Sequence, residues 1–338
     1  MKRMICLFCA VLICFTFSSC QKGMDEADSS PEVNLQALWE IIDQHYCFLD
    51  YKAEEIGLDW NAIRSTYLGK LSPQMSRTQL FEVLCQMLSE LRDGHVNLYS
   101  SADVGRNWSW KEDYPDNLNT EVRDEYLGTD YKIAAGLKYK ILDDNIGYIL
   151  YESFQNGFGE GNLDDVIYYM RLCNGLIIDV RSNSGGFLTY AERFSSRFTN
   201  EKILVGYNSH KTGPGHNDFS KPEPEYLKPS EGVRWQKNVI VLTNRACFSS
   251  TNTFVRNMKE CPLVTILGDK TGGGGGMPFT SEIPIGWSVR FSACPSYDAR
   301  MQQIEFGIDP DVTCSLDCKD VENGHDTLID TARQMLSE

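Results

Sequence analysis

The feature that most constrains the fold is a series of short, mostly apolar runs that alternate with helix-like segments in the second half of the chain. Such runs lie at residues 176–180, 239–243 and 263–267, and helical patterns follow the first two of them. Strands buried on both faces have this continuous apolar character, whereas strands with one solvent-exposed face alternate apolar and polar residues. Strands that alternate with helices predict an α/β core with parallel strands.

Other segments extend this prediction around the central strands. Residues 101–131 are polar with scattered aromatic side chains, which predicts a long loop, and five glycines at 272–276 predict a loop of close backbone approach. A helix is expected to open at Gly185 and Gly186. Further elements are predicted as strands at 139–142, 146–151, 279–283 and 287–291, and as helices at 162–172, capped by Asn162, and at 251–259.

The region before residue 93 has a different pattern, with apolar residues at helical spacing. These residues are Leu35, Leu38, Ile41, Ile42 and Tyr46 in one group, and Leu80, Val83, Leu84, Met87, Leu88 and Leu91 in another. The spacing places each group on one helix face. We therefore predict a small helical subdomain at 33–92, followed by the α/β core at 93–338.

The first twenty residues have the order of a secretory signal. Lys2 and Arg3 precede an apolar run from Met4, and Ser18 and Ser19 lead to Cys20. The ending resembles the bacterial lipoprotein signal, in which such a cysteine is lipidated. We expect a signal peptide at 1–19, lipid on Cys20 and a polar tether at 20–32. This predicts an exported protein of the bacterial cell envelope, facing the periplasm or the cell surface, although an ordinary signal cut nearby is the alternative.

Charge and cysteine content exclude several other classes. The formal net charge of −15 repels phosphate backbones, so we do not expect a nucleic-acid partner. Cys314 and Cys318 could pair with each other or form half of a metal site, but no His or second Cys pair lies beside them at zinc spacing. We therefore expect no metal and no cofactor, and disulfide pairing stays open.

Four residue groups could carry chemistry, and each has an ordinary alternative. His95 follows Gly94 at a helix-to-strand junction, where a side chain can enter a cleft or lie at a strand edge. Gly185 and Gly186 lie in a strand-to-helix turn that could bind an oxyanion or be only a tight turn. Ser249 begins a helix, where serine serves as a nucleophile or as a plain N-cap. Glu305 follows a predicted strand, and a single carboxylate at such a position does not by itself indicate a function.

Together these groups resemble the tail-specific, or C-terminal processing, proteases in their tricorn-core-like branch. The resemblance extends from about residue 35 to 313. It implies a ClpP/crotonase-like α/β core with a mixed, largely parallel sheet. The matched segments are Leu-Arg-Asp-Gly-His at 91–95, Gly-Tyr-Ile at 147–149 with Phe154, Ile-Asp-Val-Arg-Ser-Asn-Ser-Gly-Gly at 178–186, Leu-Thr-Asn at 242–244, Ser-Ser-Thr-Asn at 249–252, Gly-Asp-Lys-Thr-Gly-Gly-Gly at 268–274 and Glu-Phe-Gly-Ile-Asp-Pro-Asp at 305–311.

The resemblance implies a role for each candidate residue. Ser249 matches the nucleophile, His95 the general base of the histidine-using branch, and Glu305 the carboxylate that supports the site. Backbone N–H groups of Gly185 or Gly186 and of Ser250 match the oxyanion hole. A serine hydroxyl is a weak nucleophile until a base takes its proton. The expected function is a cell-envelope serine endopeptidase that cleaves peptides or proteins through an acyl-enzyme.

The chain departs from the family pattern at three places. Gly274 stands where the lysine-using branch has its lysine, so the base is expected to be His95, with activity rising through about pH 6 to 7. Asn252 stands where Glu is usual, which leaves Ser250 as an alternative nucleophile. Only 51 residues separate His95 from Gly147, too few for the PDZ domain that many relatives insert there.

Two alternatives to an enzyme remain. One is a catalytically silent peptide- or glycan-binding envelope lipoprotein of the same fold, and the other is a purely structural surface lipoprotein. Loss of Ser249, His95 or Glu305 would have favoured the silent protein, but all three are present. The sequence indicates neither the substrate nor the oligomeric state.

Overall fold

A computed structural model describes residues 30–107 and 114–337. Within these residues the helices are α1 (Pro31–His45), α2 (Leu49–Ile56), α3 (Trp60–Leu68), α4 (Arg77–Ser89), α5 (Thr120–Leu127), α6 (Glu160–Tyr169), α7 (Leu188–Ser195), α8 (Ser250–Lys259), α9 (Cys318–Glu322) and α10 (Thr327–Ser337). The strands are β1 (Asn97–Tyr99), β2 (Val104–Arg106), β3 (Lys132–Ala134), β4 (Leu137–Ile141), β5 (Gly147–Leu150), β6 (Leu176–Asp179), β7 (Ile203–Asn208), β8 (Glu223–Leu227), β9 (Val239–Thr243), β10 (Val264–Gly268), β11 (Gly276–Glu282), β12 (Ser288–Tyr297) and β13 (Val312–Thr313).

The larger sheet contains the predicted apolar strands. Its order is β13-β10-β9-β6-β5-β4-β3, with β5, β6, β9, β10 and β13 parallel and β3 and β4 antiparallel. Every residue of β6 and β9 is buried, because helices cover both faces of these central strands. The prediction of an α/β fold with a mixed, largely parallel sheet is confirmed.

The smaller sheet joins the N-terminal helices to the core. Its strands run β2-β1-β12-β7-β8, and β11 also pairs with β12, all antiparallel. Leu38 of α1 and Leu84 of α4 lie in one buried cluster with Val289 and Phe291 of β12. The apolar faces of the helices predicted at 33–92 are therefore covered by a sheet formed from distant parts of the chain.

Several local predictions were wrong. Residues 101–131 include β2, whose backbone pairs with β1, and α5, whose first turn is capped by Asn119. Asn162 lies inside α6 rather than at its N-cap, where its side chain accepts a hydrogen bond from Gly159 N. The helix expected at Gly185 begins at Leu188, because both glycines have positive φ angles that an α-helix excludes.

Two predictions concern residues that the structure describes only in part or not at all. The signal peptide, Cys20 and most of the tether lie outside the described residues. Among the described helices, none is long and apolar enough to cross a membrane. The second prediction is that the segment between His95 and Gly147 is too short for a PDZ domain. The described part of this segment contributes β1 to β4 and α5, so it forms parts of both sheets.

Buried charges fix the C-terminal helix to the larger sheet. Arg181 lies just after β6 and is 1% exposed. Its guanidinium contacts Asp179 at 2.7 Å and Asp326, next to α10, at 2.9 Å. In a dry environment each charge needs a partner, so this arginine has a structural role. The eight cysteines in the described part of the chain are free thiols.

Candidate active site

The site lies at the carboxyl ends of two neighbouring parallel strands. The turn after β6 carries Gly185 and Gly186, and the loop after β9 leads to Ser249 at the start of α8. In open α/β sheets the strand ends and following loops form the crevice that binds ligands. His95 reaches the same crevice from the end of the helical region, just before β1.

Ser249 has the geometry of a presented side chain. Its φ and ψ angles are 59° and −121°, a strained region for a residue that is not glycine. Its N–H donates to Gly273 O at 2.9 Å, which holds the backbone in place. The side chain makes no capping bond to α8, although Ser249 occupies the N-cap position. The plain N-cap explanation is therefore wrong, and Ser249 Oγ lies 2.9 Å from His95 Nε2 instead.

His95 is held in a neutral state. It is only 4% exposed, and the ring of Phe248 lies beside it with centroids 4.8 Å apart. Burial lowers the pKa of His95 to about 4, with Asp93 opposing the shift and Arg290 and Lys52 adding to it. The pH range expected from an unperturbed imidazole therefore moves downward. His95 Nδ1 has no hydrogen-bond partner among the described residues.

Glu305 is bound to a buried lysine and to a backbone N–H group rather than to His95. It makes no hydrogen bond to His95 among the described residues. Glu305 Oε1 contacts Lys52 Nζ at 3.0 Å, and Oε2 accepts from Gly275 N at 3.1 Å. Burial and the charge of Asp93 raise the pKa of Glu305 to about 8, against the opposing effect of Lys52. Among the described residues, no carboxylate therefore bonds to the imidazole ring of His95.

Lys52 is the functional candidate that the sequence prediction missed. It is fully buried on α2 and donates to Leu91 O at 2.6 Å as well as to Glu305. A signal was available in the sequence, since Lys52 follows Phe48 and Leu49 by four and three residues. That spacing places the lysine on the buried helix face, where an unpaired ammonium would be costly.

Asp93 links this buried group to the histidine backbone. Its Oδ1 accepts from His95 N at 2.7 Å, and its Oδ2 accepts from Tyr46 and Ser292 hydroxyls at 2.9 Å each. Burial alone would raise the pKa of Asp93, but the charges of Lys52 and His95 and the hydrogen bonds from His95 N and Ser292 outweigh it and lower the pKa. Asp93 is therefore an ionised carboxylate that fixes the position of the His95 main chain.

The backbone N–H groups that the resemblance assigns to an oxyanion hole differ in whether they have an acceptor. Gly185 N donates to Asn183 Oδ1 at 3.0 Å and is therefore occupied. Neither Gly186 N nor Ser250 N donates to any acceptor among the described residues. Gly185 is required for its shape, since its φ is 97° and a Cβ there would lie 2.6 Å from Phe248 O.

The two remaining departures from the family pattern have structural explanations. Ser250 is 1% exposed and its hydroxyl donates to Gly186 O at 2.6 Å, so it does not face His95 as a nucleophile would. Asn252 donates to Ile304 O and accepts from Thr271, which ties α8 to the segment before Glu305. Gly274 has a φ of 79° and lies against the ring of Phe248, a place that a lysine cannot occupy without displacing that ring.

A cavity of about 700 Å³ opens directly onto Ser249 and His95. Its other lining residues include Asn97, Arg106, Arg290 and Phe187. Phe187 is 60% exposed at the start of α7, which leaves an apolar surface beside the glycine turn. Within the described residues, the site therefore combines a serine hydroxyl in contact with a neutral imidazole, two N–H groups without acceptors and room for a chain of residues.

Comparisons with known proteins indicate the family of the chain. The model of peptidase family S41 matches residues 145–314, and the tricorn protease C1 domain matches residues 28–89. A candidate tricorn-like protease C-terminal subunit of Sulfurisphaera tokodaii is 28% identical over 167 residues, which are 48% of this chain and 17% of that protein. The chain thus spans about a sixth of the length of this curated relative.

Solved structures extend the likeness over nearly the whole chain. The crystal structure of a candidate peptidase from Parabacteroides merdae is 51% identical, with a TM-score of 0.88 over 92% of this chain and 98% of that chain. Mature CPAF in complex with lactacystin is 12% identical, with a TM-score of 0.71 over 91% of this chain and 98% of that one. The second likeness shows the fold alone. The predicted resemblance to tricorn-like and C-terminal processing proteases is confirmed.

Proposed function

The chain belongs to peptidase family S41, a membership that supports a serine peptidase, and on this premise we propose an endopeptidase that uses Ser249 as nucleophile and His95 as base. One observation carries the proposal. Ser249 Oγ lies 2.9 Å from a buried imidazole nitrogen, in a strained backbone conformation that turns the hydroxyl away from its own helix. Strain of this kind is maintained where function requires a fixed side-chain direction.

The reaction follows from the positions of these groups. His95 Nε2 takes the Ser249 proton as Oγ attacks the substrate carbonyl; the low pKa of His95 keeps the ring neutral at neutral pH, and the tautomer protonated at Nδ1 leaves Nε2 free to accept. The N–H groups of Gly186 and Ser250 stabilise the negative charge that develops on the carbonyl oxygen. His95 then passes the proton to the leaving amine, and water hydrolyses the acyl-enzyme with His95 again as base.

Glu305 acts on the base through the electrostatic environment. The transient imidazolium of His95 forms in a site that already holds Lys52 and faces Arg290. The ionised Asp93 offsets these positive charges, and Glu305 does so as it ionises near pH 8. Each unit of pKa shift corresponds to about 1.4 kcal/mol between the two protonation states. A loss of either carboxylate therefore makes the charged intermediate less favourable.

We further propose that the enzyme is a lipid-anchored protein of the bacterial cell envelope. Lys2 and Arg3, the apolar run that follows and Ser19 before Cys20 support this placement. Mass spectrometry of the membrane fraction should find a lipidated N-terminal Cys20. A mature form that starts at another residue and lacks lipid would contradict the anchor without affecting the catalytic proposal.

Peptidase assays test the catalytic roles directly. Ser249→Ala and His95→Ala should each lower kcat/KM on an internally quenched peptide by at least about 1,000-fold. Ser101→Ala and His210→Ala are matched controls, because both residues are exposed and lie outside the cavity. Full activity in either site variant, with the fold intact by circular dichroism, would contradict the assigned role. A silent binding protein predicts no turnover by any of these proteins.

A further inference from the structure

The cavity beside Ser249 has a positive wall in a protein that is strongly acidic. The chain has 47 acidic and 32 basic residues. Arg106 and Arg290 both line the cavity, yet no Asp or Glu lines it among the described residues. Neither arginine makes an ion pair within the described part of the chain, whereas Arg181, Arg197 and Arg256 do. Two guanidinium groups that pair with no carboxylate of the described residues therefore face the cavity.

Strand pairing places the two arginines around one residue. Asn97 of β1 lies opposite Arg290 of β12 on one side and opposite Arg106 of β2 on the other. Residues directly opposite in antiparallel strands project from the same face of the sheet. Neighbouring strands are about 4.8 Å apart, so the arginine Cα atoms lie about 10 Å apart. Two long side chains at that separation can converge on one small anion above Asn97.

The direction of the reaction indicates which part of the substrate meets this wall. His95 delivers a proton to the leaving amine, so the leaving half of the peptide passes on the side of His95. His95 leads directly into β1, where Asn97 is two residues further along. Arg290 is also close enough to depress the pKa of His95. The arginine pair therefore lies beside the residues that follow the scissile bond.

We propose that Arg106 and Arg290 bind a carboxylate on the leaving-group side of the substrate, so that cleavage occurs shortly before a negative charge. This inference rests on the proposed function and names the substrate class for the same site. Arginine suits the task because its planar fork pairs with a carboxylate through two hydrogen bonds. The carboxylate belongs either to an Asp or Glu side chain or to the free C-terminus of a short tail.

Matched peptides test the inference. One set carries Glu or Gln at each of the first three positions after the scissile bond, with an amidated C-terminus. A second set carries Gln only and ends at those positions as a free acid or an amide. The wild type should show kcat/KM at least about tenfold higher with the carboxylate at one position. Only the first set should show this difference in kcat/KM if the arginines bind a side-chain carboxylate. Only the second set should show it if they bind the C-terminal carboxylate.

Variants assign the preference to the two arginines. The ratio of kcat/KM for charged and neutral peptides should fall several-fold in Arg106→Gln and Arg290→Gln, and Arg290→Lys should restore part of it. Arg300→Gln removes the same charge from an exposed residue outside the cavity, and its ratio should equal that of the wild type. Equal kcat/KM for charged and neutral peptides would overturn this inference but not the proposed function. So would an unchanged ratio in the variant that combines Arg106→Gln with Arg290→Gln. No cleavage of any peptide overturns the proposed function as well.

Discussion

Lys52 Nζ lies 3.0 Å from Glu305 Oε1, and the two side chains are 0% and 2% exposed to solvent. The residues are 253 positions apart in the chain, so the contact joins the N-terminal helices to the last part of the core. Two carboxylates, Asp93 and Glu305, lie in this dry region, and Lys52 lowers the pKa of both. The contact therefore couples the stability of the fold to the charge environment of the base.

Replacing Lys52 should affect stability and activity in separable ways. Above about pH 8, where Glu305 is ionised, Lys52→Met leaves two buried carboxylates without their cation and should lower the free energy of unfolding by about 3 kcal/mol. Adding Glu305→Gln should recover part of that stability, because a neutral amide needs no cation, while kcat/KM should remain low. Thermal unfolding and peptide hydrolysis measure the two effects. Lys221→Met, at an exposed position, is the control, and equal stability of both methionine variants would contradict the account.

The pH profile of kcat/KM should reflect two buried groups. Activity requires neutral His95, whose pKa is lowered to about 4, so it should rise through about pH 4 and not through pH 6 to 7. Glu305, with its pKa raised to about 8, should add a second rise as it ionises and stabilises the imidazolium. Glu305→Gln should remove only the second rise. A single rise near pH 6.5 in the wild type would show that His95 is not desolvated.

Gly274 should be intolerant of even one added carbon. In Gly274→Ala the new Cβ would lie 2.5 Å from Phe248 Cζ, and the Phe248 ring supports His95. Gly286→Ala is the matched control, since its φ of 82° imposes similar backbone strain but nothing lies within 4 Å. Both variants should lose about 1 kcal/mol of stability to strain. Only Gly274→Ala should also lose activity, and equal kcat/KM in the two would contradict the packing argument.

His216 should stabilise the fold in a pH-dependent way. Its ring nitrogens lie 2.9 Å from Asp50 Oδ1 and 3.0 Å from Asp43 Oδ1, an arrangement that needs both nitrogens protonated. Burial alone would lower the pKa of His216, but these carboxylates outweigh it and raise the pKa. The contribution is complete below the unfolded pKa of about 6.5 and is lost as pH rises through the higher folded value.

The test compares melting temperatures at two pH values. His216→Gln should lower the Tm relative to the wild type at pH 6 and have a much smaller effect at pH 9. His210→Gln, at an exposed position of the same loop, should have little effect at either pH. An equal loss in His216→Gln at both pH values would indicate that the histidine stabilises by packing alone.

The central strands were predictable because a strand that is buried on both faces has a continuous apolar run in its sequence. The run at 239–243 is apolar except for Thr243, and the structure begins and ends β9 at those residues. The strand β2 has no such run, because its three residues, Val-Gly-Arg, are exposed or half-buried. Its extended conformation depends on pairing with β1. Short edge strands of this kind are determined by their neighbours rather than by their own composition.

The residues of the candidate site were predictable from the sequence, but several of the contacts between them were not. Ser249 and His95 were identified from the resemblance, and the structure brings them into contact. The sequence could not indicate that Glu305 pairs with Lys52, because that contact depends on how two distant segments pack. Nor could it indicate the low pKa of His95, which follows from burial.

The most direct test of the account is covalent labelling of the activated serine. A fluorophosphonate probe should add once to the wild type at pH 7, with loss of fluoride, and peptide mapping should place the phosphorus on Ser249. Ser249→Ala should gain no adduct, whereas Ser250→Ala should still be labelled, because its missing hydroxyl is the buried one. Undiminished labelling of Ser249→Ala, or an unlabelled wild type, would contradict the assignment of Ser249 as the nucleophile.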